Sequence, residues 1–512
     1  MALQGLLPYR YESEKHETGL TAMAGLPTYL DLAFVAGLRE SVKRHVKVRA
    51  EGQGWADWQM VVSGVLLNLA GGESVEDLRV LEGDEGVRRL VRQVETHKLP
   101  RKERRALERR WRKERKRSVP SPSAMFRYPE AFHDPEQEKK RVPGKAFIPQ
   151  PNTRLKGLRY VNRDLVSFVQ SRSPQRVATM DLDATSVETQ KQDALYCYKH
   201  FKAYQPLNLY WAEQDLVVHS EFRDGNVPAG YDLLRVFEEG LTYLPAGVEE
   251  VRLRSDTAAY NHALLRYCDA GKNERFGRIR FSIGCDVTAE FKRAVPEVPE
   301  SEWKPLYQEK DGVSIKTNRE WAEVCYVPNV IGHSKEGPEY RYLAIREAMS
   351  QPTLPGLAEQ QELPFPTLTL KRQTYKLFGL VTHLDWEGER IVNWMYERCG
   401  KSEEAHSVMK SDLAGGKLPS SDFGENAAWW HFVILALNLN SAMKHLVLEK
   451  ALGKEWGTRR LKALRFHLIH LPGRLVHRSR QWFLRLTRGH PSPGALLKIR
   501  RQILQLATVP SG

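Results

Sequence analysis

The chain has 512 residues, 41% hydrophobic and 28% charged, enough for roughly two to four domains with true cores. Its mean hydropathy of −0.51 excludes a protein dominated by membrane spans, and the longest apolar run, 427–443, is broken by His431, Asn438 and Asn440. The net charge of +15 is concentrated in two places: residues 98–117 hold twelve Lys/Arg against three Glu, and residues 454–501 hold thirteen against Glu455 alone. The rest of the chain is mildly acidic, so the two basic segments point to a polyanionic partner, with nucleic acid first.

Five cysteines occur without a CxxC pair, and Cys197 and His200 find no second pair to complete a metal set. Neither a zinc site nor a disulfide framework is expected. The N-terminal stretch MALQGLLPYRYESEKHE lacks the long apolar segment of a signal peptide, so the expected location is the cytoplasm.

Residues 18–45 carry apolar side chains at helical spacing. Residues 57–95 read as two or three helices, broken at Gly71-Gly72 and near Gly83, with Asp84-Glu85 able to start the next. Residues 98–117 form a strongly basic helix that the prolines of 118–123 end. Its arginines, Arg104, Arg105, Arg109 and Arg112 among them, suit a phosphate backbone without reading bases. The plain alternative is a solvated helix face. Residues 1–125 are thus expected as a helical DNA-binding region with a basic tail, and 126–175 as a connector.

Residues 176–289 alternate strands and helices, as an α/β sheet does. Strands are expected at 177–187, twice within 206–223, at 248–256 and at 280–287, with helices at 229–242 and 258–270. Residues 290–385 change to proline-punctuated, strand-like runs and read as a separate β-rich insertion. Residues 386–450 are helical again, and 451–512 form a basic tail with Trp456, Phe466, Trp482 and Phe483 interleaved.

Three places carry carboxylates suited to chemistry. In VATMDLDATSVE, 177–188, Asp181 and Asp183 fall on one face of a strand. Two buried negative charges side by side are costly unless something positive shares the site. Asp256, in VRLRSDTAAY, ends a strand just before a helix, where ligand sites of α/β sheets gather. Its plain alternative is a helix N-cap. In NWMYERCGKSEEAHSVMKSDL, 393–413, Tyr396, Glu403 and Lys410 are spaced by seven. On a helix turning about 100° per residue they share one stripe, with Cys399 and His406 close to it. A solvated face is again the alternative.

Together these elements resemble the DDE transposases of bacterial insertion sequences, most of all the 1380 family, which is related to family 4. The resemblance rests on Asp183-Ala184-Thr185, on LRSD ending at Asp256, and on a helix signature Y-x2-R-x3-E-x6-K matched by Tyr396, Glu403 and Lys410. Cys399 stands where the signature has arginine; Arg398 precedes it, about 100° away around an α-helix. Asp183 to Asp256 is 73 residues and Asp256 to Glu403 is 147, a second gap that leaves room for the β-rich insertion family 4 carries there. FGENAAWWHFVILALNLN is similar to the helix that follows the signature. The resemblance covers 176–450.

It implies a ribonuclease H-like core with Asp183, Asp256 and Glu403 as catalytic carboxylates holding two Mg²⁺, for which Mn²⁺ can substitute. Asp183 would be the shared ligand, with Asp181 either a neighbour or a further ligand. Tyr396 would position terminal nucleotides, and Lys410 and Arg398 would contact phosphate. Trp303 and Trp321 are candidates to stack on a flipped base, with packing as their plain role. The implied partner is double-stranded DNA, both terminal inverted repeats and target, bound by a dimer in the bacterial cytoplasm at the nucleoid. The other readings are a metal-dependent nuclease on the same fold and a DNA-binding protein derived from a transposase that no longer catalyses.

Overall fold

The computed structural model describes residues 3–4, 10–11, 16–49, 54–97, 99–113, 117–310, 312–328, 340–349, 365–370 and 373–508. Its centre is a ten-stranded mixed sheet. The strands are β1 (Val177–Ala184), β2 (Leu207–Trp211), β3 (Leu216–Glu221), β4 (Glu250–Ser255), β5 (Arg280–Cys285), β6 (Lys304–Lys310), β7 (Val313–Val324), β8 (Arg341–Ala348), β9 (Thr367–Leu370) and β10 (Gln373–Thr382). They run in the order β6-β7-β8-β10-β5-β4-β1-β2-β3, with β9 on β10. β1, β4 and β5 are parallel, β2 runs antiparallel to β1, and β3 runs antiparallel to β2. The fold class is therefore mixed α/β, as the strand–helix alternation implied.

β1 is a central strand with sheet neighbours on both sides. That explains its apolar and small side chains at Val177, Ala178, Met180 and Leu182, with Ala178, Met180 and Leu182 fully buried. The proline-punctuated segment is β-rich, but it is not a separate sheet. β10 pairs antiparallel with the β5 edge, and β8, β7 and β6 extend the same ladder outward. The insertion covers an edge that would otherwise expose unpaired backbone groups.

The helices used below are α1 (Leu26–Val35), α2 (Leu38–His45), α3 (Asp57–Ala70), α4 (Glu85–Thr96), α5 (Arg101–Lys113), α6 (Thr153–Arg172), α7 (Leu233–Thr242), α8 (His262–Asp269), α9 (Gly388–Tyr396), α10 (Ser402–Ser407), α11 (Phe423–Ala442) and α12 (Ser492–Thr508). The helix expected over 18–45 is two, separated at Gly37, whose φ of 69° only glycine adopts freely. α3 ends at Gly71, and α4 starts after Asp84, whose Oδ1 accepts from Val87 N at 2.8 Å.

α11 is apolar all round and all twenty of its residues are buried, which marks a core helix. With its continuation to Leu452 it is long and apolar enough to cross a membrane by length and composition, yet 89% of its most apolar stretch is buried inside the protein. Its Asn438 explains the polar interruption of the apolar run. Asn438 Oδ1 accepts from Val217 N at 2.9 Å, and its Nδ2 donates to Val217 O at 2.8 Å. α6 adds Asn162 Nδ2 to the same carbonyl at 2.9 Å. Two asparagines thus satisfy the edge strand β3.

The two terminal regions join this core rather than standing apart from it. Leu26, Leu32, Val61 and Leu67 share one hydrophobic cluster with α11, and Tyr29 Oη donates to Asn440 Oδ1 at 2.9 Å. The segment after 450 is not a tail. Arg465 of that segment donates from Nε to Leu69 O at 2.8 Å, and Leu496, Ile499 and Ile503 of α12 enter the same cluster.

Candidate active site

The parallel pairing of β1 with β4 sets Leu182 opposite Ser255. One residue further on, Asp183 and Asp256 emerge side by side at the carboxyl edge of the sheet. With Glu403, Arg398, His406 and Lys410 they line one cavity of about 440 Å³.

Asp183 is mostly buried, with 13% of its side chain exposed. Burial pushes its carboxyl up to about 7; Arg398 opposes this, while Asp256, Glu403 and Asp181 push further up. Arg398 Nη2 lies 3.2 Å from Asp183 Oδ2. Asp256 Oδ1 caps the turn Thr257–Ala259 by accepting from Ala258 N at 3.0 Å, its plain alternative, and the residue also borders the cavity. Glu403 is exposed in the first turn of α10.

Asp181 is corrected. Although it shares a strand face with Asp183, it is completely buried, and both of its oxygens are taken by Arg254. Nε meets Oδ1 at 2.7 Å and Nη2 meets Oδ2 at 3.1 Å. Arg254 Nη1 donates onward to Trp394 O and Glu397 Oε2, and the guanidinium sits over the Trp394 ring. Asp181 is thus engaged in a closed ion pair and does not line the cavity that Asp183 borders.

The signature segment is corrected as well. α9 stops at Tyr396, Glu397–Gly400 form a 3-10 turn, and Lys401 leaves helical geometry at φ −121°, ψ −94°. α10 then begins, and Val408–Asp412 widen into a π-helical turn. The common stripe of Tyr396 and Glu403 does not survive this break, because the rotation per residue changes. Tyr396 packs instead against the insertion, with the Arg319 guanidinium 4.9 Å above its ring. The same break brings Arg398 into the cavity, so the count of 100° per residue does not apply to it. Cys399 is exposed. Lys401 Nζ anchors the break on Asp215 Oδ1 at 2.9 Å, and His445 Nε2 holds Asp215 Oδ2 at 2.7 Å. Lys410 Nζ donates to Ser186 O at 3.4 Å; burial and the nearby Lys199 lower its pKa, against the pull of Asp183.

Trp303 and Trp321 have the packing role. Both are buried, Arg346 lies 4.1 Å over Trp303, and a Cβ at Gly388 would meet Trp321 at 2.1 Å. Arg104 and Arg105 are exposed on α5; the side chains of Arg109 and Arg112 lie outside the described residues.

Sequence reasoning left out the support behind Asp183. Trp430 Nε1, a donor only, donates to Ser220 Oγ at 3.1 Å. Ser220 Oγ donates to Asn208 Oδ1 at 2.7 Å, so Asn208 Nδ2 is the donor to His406 Nε2 at 3.1 Å. That leaves the proton of neutral His406 on Nδ1, which faces Asp183 Oδ2 at 3.8 Å. Burial first, then Lys410 and Arg398, push His406 down to about 3, so it stays neutral. The available signal was His406 three residues after Glu403. Its partners come from β2, β3 and α11, which no local pattern connects. Beside this site a second cavity of about 760 Å³ runs from Asp183, Asp256 and Lys410 to Tyr196, Tyr198 and Lys199.

Asp183, Asp256 and Glu403 are oxygen donors of the type a hard divalent cation prefers; they border one cavity, and the other two help raise the Asp183 carboxyl. Among the described residues, no three such groups are drawn together closely enough to hold an ion.

Residues 37–508 match the family described as Transposase DDE domain group 1. None of the curated proteins matches the chain. Among solved structures, the cryo-EM structure of the piggyBac transposase synaptic complex with hairpin DNA is similar at 10% identity and a TM-score of 0.44, over 86% of this chain and 80% of that one.

Proposed function

The chain belongs to the transposase DDE domain family, and on that premise we propose that it cuts DNA at the ends of a bacterial insertion sequence and joins those ends to target DNA. The observation that carries this is one cavity shared by Asp183, Asp256, Glu403, Arg398 and Lys410. Three acids and two bases in one space suit a phosphodiester, whose charge the bases attract while the acids hold a cation.

Asp183, Asp256 and Glu403 would hold Mg²⁺ or Mn²⁺. A cation held there would contribute nucleophile activation and charge neutralisation to phosphodiester chemistry. Arg398 and Lys410 set two positive charges on the cavity wall for the scissile phosphate. His406 stays uncharged, with Nδ1 facing Asp183 Oδ2 at 3.8 Å, so it adds no charge to the cavity wall. In this reading the core is ribonuclease H-like, and the Asp183-Ala184-Thr185, LRSD and Tyr396/Glu403/Lys410 patterns support kinship with the 1380 insertion sequence family. The exposed arginines of α5 suit the DNA backbone, with end recognition within 1–125. Two ends must be held together, so a dimer on DNA is the working form, at the nucleoid of the bacterial cytoplasm.

The test is a strand-transfer assay with terminal inverted-repeat DNA, Mg²⁺ and a supercoiled target. Joined product supports the proposal. Cleavage without joining would make the protein a nuclease, and binding without cleavage would make it a regulator. Asp256→Asn and Glu403→Gln should each abolish cleavage and leave DNA binding intact; cleavage at the wild-type rate in either would sink the site assignment.

A further inference from the structure

After 450 the chain forms a β-hairpin, β11 (Gly473–Arg478) and β12 (Gln481–Leu486). One face is fixed to the body. Leu475 is buried, its N donates to Gly19 O at 2.7 Å, and β11 pairs with Leu20–Thr21. The other face carries Arg474, Arg478 and Arg485, because side chains alternate along each strand. Arg474 stands directly opposite Arg485 in the register. Like charges so placed destabilise a hairpin.

Among the described residues no acid side chain pairs with either arginine. Residues 473–490 hold five arginines and no acid. All five, including Arg480 and Arg488, are exposed; Arg478 lies 4.8 Å over the Phe483 ring of the same hairpin, which leaves its charge in solvent. Elsewhere exposed arginines such as Arg176 and Arg278 meet an acid, Glu249 and Asp269. At the tip, Ser479 and Arg480 take φ of 50° and 61°, a two-residue turn that usually needs Asn or Gly. The strand therefore reverses with the Arg480 side chain at its outermost point, at a backbone cost of about 1 kcal/mol or more.

We propose that this hairpin is a docking ribbon for duplex DNA, with Arg474, Arg478, Arg480 and Arg485 on phosphates. A two-stranded ribbon fits the width of a major groove, and the unpaired cations supply the affinity. This rests on the transposase reading and adds a second contact surface, far along the chain from α5 and outside the catalytic cavity.

The experiment measures binding to a short mixed-sequence duplex across a salt series, for the full chain and for Arg474→Gln/Arg478→Gln/Arg485→Gln. The expected result is a salt slope smaller by about three and an affinity at least tenfold weaker at physiological salt. The unfolding midpoint should be equal or higher, because repulsion is removed. The triple Arg→Lys variant, which keeps the charge, should retain the slope and so separates charge from packing. An unchanged slope in the Gln variant, while the wild type binds DNA and cleaves it, would overturn the ribbon and leave the transposase reading standing. Tighter binding to single-stranded RNA than to the duplex through the same arginines would also overturn it. A wild type that binds no DNA would remove both.

Discussion

Asp181 and Asp183 stand two residues apart on one face of β1, and each meets an arginine, but the two pairs are built differently. Arg254 spends every guanidinium nitrogen: two on Asp181, the third on Trp394 O and Glu397. Arg398 makes one contact with Asp183, and its Nε is buried with no partner. The first pair is closed on itself and holds β1 to β4 and to α9. The second is left incomplete beside a cavity. A buried polar atom without a partner is costly, and here it lies beside the cavity that the proposed function assigns to the phosphate. Identical residue types on one strand thus differ in how fully their partners are saturated, and the less saturated one borders the cavity.

The contrast breaks most visibly at the closed pair. Asp181→Ala leaves Arg254 buried without its counter-ion and should cost about 3–5 kcal/mol in denaturant unfolding. A loss below about 1 kcal/mol would erase the distinction. Replacing both partners, as Asp181→Leu/Arg254→Met, should recover most of that loss, because an apolar pair of similar volume needs no mutual charge.

The next effect is smaller and depends on pH. Asp183 has its carboxyl raised to about 7 in the fold, against an ordinary 3.8. Between those values the folded state binds more protons than the unfolded chain, so stability falls as pH rises from about 4 through about 7. At 1.36 kcal/mol per unit the contribution is on the order of 2–4 kcal/mol. Asp183→Asn should flatten that fall and be as stable as wild type, or more so, at pH 8; an undiminished fall in the variant would place its origin elsewhere. The smallest effect belongs to Cys399→Arg. Arg398 already occupies the cavity and Cys399 is exposed, so cleavage should change less than about twofold, within 0.5 kcal/mol. A large rise would mean that Arg398 does not serve the phosphate.

The pattern Asp183-Ala184-Thr185, the strand-end Asp256 and the seven-residue spacing of Glu403 to Lys410 led straight to residues that border one cavity, because each is a local signal on a strongly patterned element. The partner of Asp181 was not legible, since Arg254 lies 73 residues away and meets it only through the β1–β4 register. The signature helix was read as continuous because Gly400-Lys401 is a weak breaker on its own; Lys401 leaves the helix to reach Asp215, a tertiary contact. The strands of 290–385 were visible, but their annexation to β5 was not, since pairing between distant strands leaves no periodicity. The segment 451–512 was judged by charge, which hid the apolar stripe Leu496, Ile499, Ile503 that docks α12.

The central claim is that Asp183, and not Asp181, is the working carboxylate of β1. The most direct measurement takes Asp183→Asn through urea unfolding and through cleavage of inverted-repeat DNA with Mg²⁺. The account predicts a folded protein that binds DNA and does not cut it; cleavage at the wild-type rate by that folded variant would contradict it.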